Sequence, residues 1–253
     1  MGEPNLGDTT MRVGVFGAGG RMGSAVCSAV DADPALELVA RVDPHVSGCA
    51  PTANGHEADV WVDFTVVDAA RENVRWCAAH AAHAVVGTTG WSEADFGELR
   101  SLFTRSNCVI APNFAIGAVL MMRFAELAAP FFETAEIIEL HHDAKRDAPS
   151  GTAMMTARRM AAASADWGPD PTEDTVVAGA RGGVGPGGIH VHSVRLSGLV
   201  AHQEVILGTT GQSLTLRHDS YDRSSFMPGV ILAVKAIGAR PGVTVGLDAL
   251  LNI

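Results

Sequence analysis

The chain has 253 residues, 47% of them hydrophobic, 18% charged and only 6% aromatic. That is enough apolar material to exclude a globally disordered chain, and it predicts a core built mainly from Ala, Val, Leu and Ile. Eighteen basic against 28 acidic residues leave a net charge of −10, which argues against a nucleic-acid binder that works by neutralising phosphates.

The four cysteines, Cys27, Cys49, Cys77 and Cys108, form no CxxC pair and no zinc-ribbon spacing. So thin a spread reads as reduced thiols of a cytoplasmic protein. No apolar run approaches the roughly 18 residues of a membrane span. Residues 1–10 (MGEPNLGDTT) are polar, with no apolar centre of a signal peptide, and read as a disordered extension ahead of Met11.

In chain order, RVGVF at 12–16 is a short apolar run closed by glycines, the pattern of a buried parallel strand. A helix is predicted over 21–32 and a second strand over 37–42, ending at Asp43. Residues 44–58 read as loop. Strands at 60–64, 84–87 and 108–111 then alternate with helices at 68–82 and 92–105. Ser92 is the expected N-cap of the last of these, with Asp95 three residues on, where an acid suits the helix dipole. Five strands alternating with helices imply a doubly wound parallel sheet.

The pattern then changes. A long apolar helix is predicted over 116–132, a strand over 136–141 and a helix over 150–163. A Gly/Pro/Asp-rich stretch fills 166–188. Three consecutive strand-like runs follow, at 189–196, 204–209 and 213–218, and read as an antiparallel sheet. A final helix is expected over 225–239, following that sheet in sequence and able to return to the first domain.

The turn between the first strand and helix reads Gly17-Ala18-Gly19-Gly20-Arg21-Met22-Gly23. Met22 stands where a strict GxGxxG would place its third glycine, so the spacing is GxxGxxG. The physical requirements are the same: a tight turn, a close approach of backbone to a pyrophosphate, and close packing of helix on strand. A helix N-terminus then offers N–H groups to the phosphates. Asp43, at the end of the second strand, stands where a carboxylate accepts hydrogen bonds from ribose hydroxyls. A dinucleotide site is the reading, against a merely flexible loop. Pro44 follows Asp43 where an arginine for a 2′-phosphate could stand, and Arg21 is the nearby cation in the turn. This favours NADH over NADPH, with use of both left open.

The second dense region runs from Glu139 through His141-His142-Asp143-Ala144-Lys145 to Ser150-Gly151-Thr152. It leaves a strand, crosses a polar loop and enters a helix. Histidine moves protons near neutral pH. Lysine supplies a cation or a proton, and Ser150-Gly151-Thr152 would gather hydroxyls and N–H groups at a helix start, a ready carboxylate site. The histidine spacing matches neither HExxH nor another ligand set, so no metal is expected. Taken singly, surface histidines, an N-cap and a loop proline would explain these residues; together they point to an anionic substrate that accepts a proton.

The stretch EIIELHHDAKRDAPSGTA at 136–153 resembles the signature of the 4-hydroxy-tetrahydrodipicolinate reductase (dihydrodipicolinate reductase) family of lysine and diaminopimelate synthesis. Further matches are GAGGRMG at 17–23, DFT at 63–65, GTTG at 87–90, APNFAIG at 111–117, VRLSGLVAHQEVILG at 194–208 and RHDSYDRSSFMPG at 217–229. The resemblance covers about 11–253. It implies an α/β chain with an N-terminal Rossmann-type parallel-sheet domain (11–113 and 223–253). Between these segments lies an α+β substrate-binding and oligomerisation domain (114–222) with a mixed, largely antiparallel sheet. It also implies a hinged cleft and a homotetramer.

By the same resemblance His141 and Lys145 would be the proton-donating pair, and His142, Ser150, Gly151 and Thr152 would hold a dicarboxylate. Gly17, Gly20, Arg21, Met22, Gly23 and Asp43 would bind NADH or NADPH, with Phe64 and Thr65 beside its path. Gly87, Thr88, Thr89, Ala111, Asn113 and Phe114 would line its nicotinamide side. The implied reaction is NAD(P)H-dependent reduction of a cyclic imine dicarboxylate, without nucleic acid or membrane as partner. Two rival readings remain at this point: a reductase of another small acid on the same plan, and a dinucleotide-binding sensor without turnover.

Overall fold

The computed structural model describes residues 10–46 and 58–253. Cys49, most of the expected 44–58 loop and nearly all of the expected N-terminal extension lie outside the described residues. The chain divides into two compact units, one of Met1–Phe114 and Phe226–Ile253, the other of Ala115–Ser225.

The first unit contains β1 (Met11–Phe16), α1 (Arg21–Asp31), β2 (Leu36–Val42), β3 (Val60–Asp63), α2 (Val67–Ala79), β4 (His83–Val86), α3 (Glu93–Leu102) and β5 (Cys108–Ile110). Its strands form a parallel sheet in the order β11-β5-β4-β3-β1-β2, in which β11 (Val243–Val245) returns from the C-terminal segment. Five strands were expected; the sixth, three residues between Gly242 and Gly246, is too short to announce itself. The strand order reverses at β1, which lies between β2 and β3. In open α/β sheets ligands bind beyond the carboxyl ends of the strands at such a reversal.

The core of this unit is aliphatic around one aromatic group. Phe16 stacks on Trp61 at 4.6 Å between ring centroids, and Trp76 meets Trp61 edge-on at 5.3 Å. Helix lengths follow local chemistry. Ser92 caps α3 as expected: its Oγ accepts the Asp95 N–H at 3.2 Å, and Asp95 accepts the Ser92 N–H at 2.7 Å. The second helix stops at Ala79, short of the expected 82, and Ala81 takes φ 54° in the left-handed region. The C-terminal segment adds α6 (Met227–Ala236), flanked by 3-10 turns rather than continuing over 225–239, and α7 (Asp248–Leu251).

The second unit contains α4 (Ile116–Ala128), β6 (Thr134–His141), α5 (Gly151–Ala163), β7 (Gly183–Val184), β8 (His190–Arg195), β9 (Ala201–Thr209) and β10 (Gln212–Ser220). The first helix ends before the expected 132 because Pro130 opens a 3-10 turn over Ala129–Phe131. The sheet runs β10-β9-β6-β8-β7. It corrects the picture of three consecutive antiparallel strands. Strands β9 and β10 do form a hairpin, but β6 lies between β9 and β8, and β8 runs parallel to β6. A parallel neighbour needs a long crossover, and α5 with the loops around it supplies one. The sheet is therefore mixed and largely antiparallel.

Helices α4 and α5 cover one face of this sheet. Met121 and Ala125 of α4, Ala157 and Met160 of α5, and Ile137, Val191, Val205 and Leu207 of the strands make the core. Ile137 is fully buried in it. Truncating Ile137 to Ala should destabilise this unit by about 2–5 kcal/mol, read as a lower urea midpoint at unchanged slope.

Candidate active site

In the first unit the chain leaves β1 through the glycine turn. Gly17 adopts φ +71°, and its N–H and that of Ala18 both reach the Val42 carbonyl, at 2.8 and 3.2 Å, which locks the turn to the end of β2. A Cβ on Gly23 would stand 2.0 Å from the Gly17 carbonyl oxygen, so α1 can start this close to the strand only with glycine there. Helix α1 begins after Gly20 with no side chain capping it. Its first N–H groups are left to a ligand, and a phosphate is the group that they suit.

Beside this turn opens a cavity of about 750 Å³ lined by Gly17, Gly20, Asp43, Phe64, Thr65 and Glu72 among others. Five residues expected at a cofactor site are thus brought to one cavity. Asp43 is already engaged by backbone: its Oδ2 accepts the Gly19 N–H at 3.3 Å and its Oδ1 the His45 N–H at 3.0 Å. Arg21 is exposed at the start of α1, with Met22 half-buried and Gly23 buried behind it.

The remaining expected residues of this unit sit on the loops after β4 and β5. One of them, Thr88, is tied to the cavity residue Thr65 through Asp63, a residue to which the sequence reading gave no role. Asp63 is buried at the end of β3. Its Oδ1 accepts the Thr65 N–H at 2.9 Å, the Thr65 hydroxyl at 2.8 Å and the Thr88 hydroxyl at 2.9 Å, and its Oδ2 accepts Asn73 Nδ2 at 2.7 Å. One carboxylate therefore joins the β3–α2 loop to the β4–α3 loop. Gly87 lies against the Phe64 ring, where a Cβ would stand at 2.0 Å. Phe64 in turn packs on Phe114, 5.8 Å between centroids. Ala111 bonds back to Val86, Thr89 is exposed, and Asn113 follows Pro112 in the same loop.

In the second unit the expected residues gather where β6 leaves the sheet and α5 begins. Strand alternation puts Glu139 and His141 on the same face of β6. His141 Nδ1 lies 2.5 Å from Glu139 Oε2. Glu139 is fully buried, and Arg195, next to it on β8, grips it with two bonds, Nη1 to Oε2 at 3.0 Å and Nη2 to Oε1 at 2.8 Å. Its Oε1 also receives the Ser150 N–H at 3.3 Å. Burial alone would raise the Glu139 carboxyl; Arg195, Ser193 and His141 hold it below the ordinary range. Burial pushes the His141 imidazole down, Glu139 pulls against it, and the positive charges of Lys145 and Arg195 add to the lowering.

Lys145 does not bond His141. Its Nζ is held by both oxygens of Asp147 at 2.8 Å, and it acts on the imidazole through its charge. His142 is exposed on the loop. Ser150 caps α5 by accepting the Ala153 N–H at 3.2 Å, and a Cβ on Gly151 would meet nothing within 4 Å, so the space ahead of the helix is open. Thr152 lies in the first turn, its carbonyl taken by the Thr156 hydroxyl. Sequence reasoning missed Glu139 and Arg195 as well as Asp63. The i, i+2 spacing could have found Glu139; Arg195 becomes its partner only through the β6–β8 pairing. Among the described residues no cluster of three or more His, Cys, Asp or Glu could hold a metal ion, and no helix is long and apolar enough to cross a membrane.

Known proteins match this chain along its length. The family model described as dihydrodipicolinate reductase, N-terminus, matches residues 11–114, and the one described as dihydrodipicolinate reductase, C-terminus, matches 117–251. A relative from Nocardia farcinica named 4-hydroxy-tetrahydrodipicolinate reductase is 55% identical, covering 96% of this chain and 100% of its own. One of the same name from Cutibacterium acnes is 52% identical, covering 96% and 99%. The solved structure of dipicolinate-bound dihydrodipicolinate reductase from Paenisporosarcina sp. TG-14 superposes with a TM-score of 0.85 at 38% identity, over 95% of this chain and 99% of that one. With both halves matched by the family's models and relatives identical at half their positions, the chain belongs to the dihydrodipicolinate reductase family of pyridine-nucleotide-dependent oxidoreductases.

Proposed function

We propose that the chain reduces 4-hydroxy-tetrahydrodipicolinate, by way of dihydrodipicolinate, to tetrahydrodipicolinate in diaminopimelate and lysine synthesis, and that it does so in the cytoplasm. The observation that carries the reading is the gathering of His141, Lys145 and the open start of α5 on one loop, in a chain whose other unit carries the glycine turn and its cavity. The cofactor suits that cavity: uncapped N–H groups of α1 for a pyrophosphate, Asp43 for a ribose, and Thr65 and the Phe64 ring farther along. When bound, a reduced nicotinamide supplies the hydride.

The residues of the second unit supply the rest. His142, Ser150, Gly151 and Thr152 receive the two substrate carboxylates at the start of α5 and fix the ring in place. A hydride added to one end of a conjugated C=C–C=N system leaves negative charge at the other end. A positioned acid that protonates that end lowers the barrier. His141 is that acid. The charge of Lys145 makes its imidazolium a stronger one, and burial does the same.

NADH is the preferred cofactor in this reading. Asp43 and Glu72 both line the cavity beside Pro44 and His45, with no Arg or Lys among its described lining residues. A 2′-phosphate there would meet carboxylates rather than a cation. A homotetramer built through the second sheet belongs to the same reading. Its support is the face of that sheet turned away from α4 and α5, where Ile138, Leu140, Val194 and Ile206 alternate with core residues and stay half-buried in the single chain. Light scattering should give the mass of four chains, and a monomer at micromolar concentration would overturn that part.

The test of the activity couples the chain to a synthase that generates the labile substrate in place, and follows loss of nicotinamide absorbance. Substrate-dependent oxidation should occur with both cofactors and with the larger kcat/KM for NADH. His141→Ala should lower kcat by about 10²–10⁴ while leaving the dissociation constant for NADH within about twofold. No turnover by a folded chain that binds NADH would sink the proposal. Gly23→Ala makes the converse cut. Its methyl has no room against the Gly17 carbonyl, so it should weaken NADH binding about tenfold or more, near 1.4 kcal/mol, and leave the second unit's stability unchanged.

A further inference from the structure

We propose that Glu139 is the positioning residue of the proton donor: clamped by Arg195, its carboxylate holds the Nδ1–H of His141, so that Nε2 is the nitrogen that carries the proton to the substrate. This rests on the reading of His141 as the acid.

A carboxylate that faces an imidazole nitrogen and is itself ionised can only accept, so the nitrogen facing it must donate. Nδ1 of His141 lies 2.5 Å from Glu139 Oε2. The neutral ring is therefore the Nδ1–H tautomer, with its Nε2 lone pair open. A proton taken up there is the one that leaves to the substrate, and Nδ1–H stays with Glu139 throughout. His141 alternates between imidazolium and neutral imidazole with no change of ring orientation.

The carboxylate is fixed as firmly as it fixes the ring. Arg195 binds both its oxygens in a fork, the arrangement with the most directional hold on a carboxylate. The same guanidinium donates from Nη2 to the Asp147 carbonyl at 2.7 Å, and the Ser150 N–H closes on Oε1. Glu139 thus links the acid, the loop carrying Lys145 and the helix start that receives the carboxylates. Stability alone gives little reason for such a pair, since apolar residues of equal volume are often as good or better in a buried site. Orientation of the ring is a reason that apolar residues cannot serve.

The charged groups around the ring come from every element packed there. Glu139 is on its own strand, Arg195 on β8, and Lys145 with Asp147 on the loop. On β9 the residue opposite His141 is Ala201, while His202 projects to the other face and bonds Asp219. The first turn of α5 carries no acidic residue. Glu139 is accordingly the group that favours the charged imidazole against burial, Lys145 and Arg195. Removing its charge lowers the pKa of His141, so the protonated acid is lost at a lower pH.

The experiment is nitrogen-15 NMR of the full chain with labelled histidine, the His141 signal assigned by its loss in His141→Ala, beside pH profiles of kcat/KM. In the resting wild type above the His141 pKa, Nδ1 should give the protonated-type shift and Nε2 the unprotonated one. Glu139→Gln should relax this toward Nε2–H. It should also lower kcat about 10²-fold, move the alkaline limb of kcat/KM to lower pH, and leave NADH affinity within about twofold. Arg195→Lys, which keeps the charge on Glu139, should retain the Nδ1–H signal. An Nε2–H signal in the wild type overturns the proposal, and needs no variant to fold. So does a Glu139→Gln enzyme whose limb stays in place while its rate falls evenly at all pH, the mark of a purely structural residue. A His141→Ala enzyme with full kcat would instead remove the reading of His141 as the acid.

Discussion

A carboxylate removed from water must be met by donors, or its burial costs more than packing returns. Glu139 meets that demand completely, and the arrangement of the second unit follows from how. Its partners come from His141 on the same strand, Arg195 on the neighbouring strand and Ser150 at the start of α5. Bringing Arg195 alongside requires β8 to lie parallel to β6 and in register, which in turn requires the long crossover through α5. The mixed sheet is thus no incidental departure from a meander. It is the topology that puts an arginine, a histidine and a helix start around one buried charge.

The first unit uses the same device without a cation. Asp63 is met by neutral donors alone: a backbone N–H, two hydroxyls and an amide. Through Thr88 the carboxylate reaches the loop after β4, and the Thr88 hydroxyl also bonds the Thr65 carbonyl, so the two loops are joined twice. In the same region the Phe64 ring packs on Phe114 and against the bare Cα of Gly87. The glycine turn is fixed in its own way, by the Val42 carbonyl and the left-handed Gly17.

Much of this was legible in the sequence. Short apolar runs alternating with helical stretches announced the parallel strands, and Ser92 with Asp95 announced a capped helix. The spacing of Gly17, Gly20 and Gly23 announced the turn. The residues from His141 to Thr152 announced the loop, and the family resemblance gave them roles. What was not legible depends on neighbours far apart in the chain. β11 carries no signal of its own in three residues; it is a strand because β5 presents an open edge. Arg195 is one basic residue near the end of an alternating strand and gains its meaning only when β6 is laid beside it. The polar start of β9, His202 to Glu204, hides a strand that pairs on both sides.

Lys145 bears on His141 without touching it. The family resemblance gives it as one of a proton-donating pair with His141. In the structure its ammonium is occupied by Asp147, and its effect on His141 is electrostatic. A cation beside an imidazole lowers its proton affinity, which makes the imidazolium a stronger acid but a scarcer one. Glu139 works in the opposite direction, keeping the charged form within reach. A general acid needs both: enough affinity to be loaded and little enough to let go. Burial and two cations on one side, and one clamped carboxylate on the other, set that balance at a single ring. Under the proposed function, a dicarboxylate held at the start of α5 would add negative charge that favours the protonated ring.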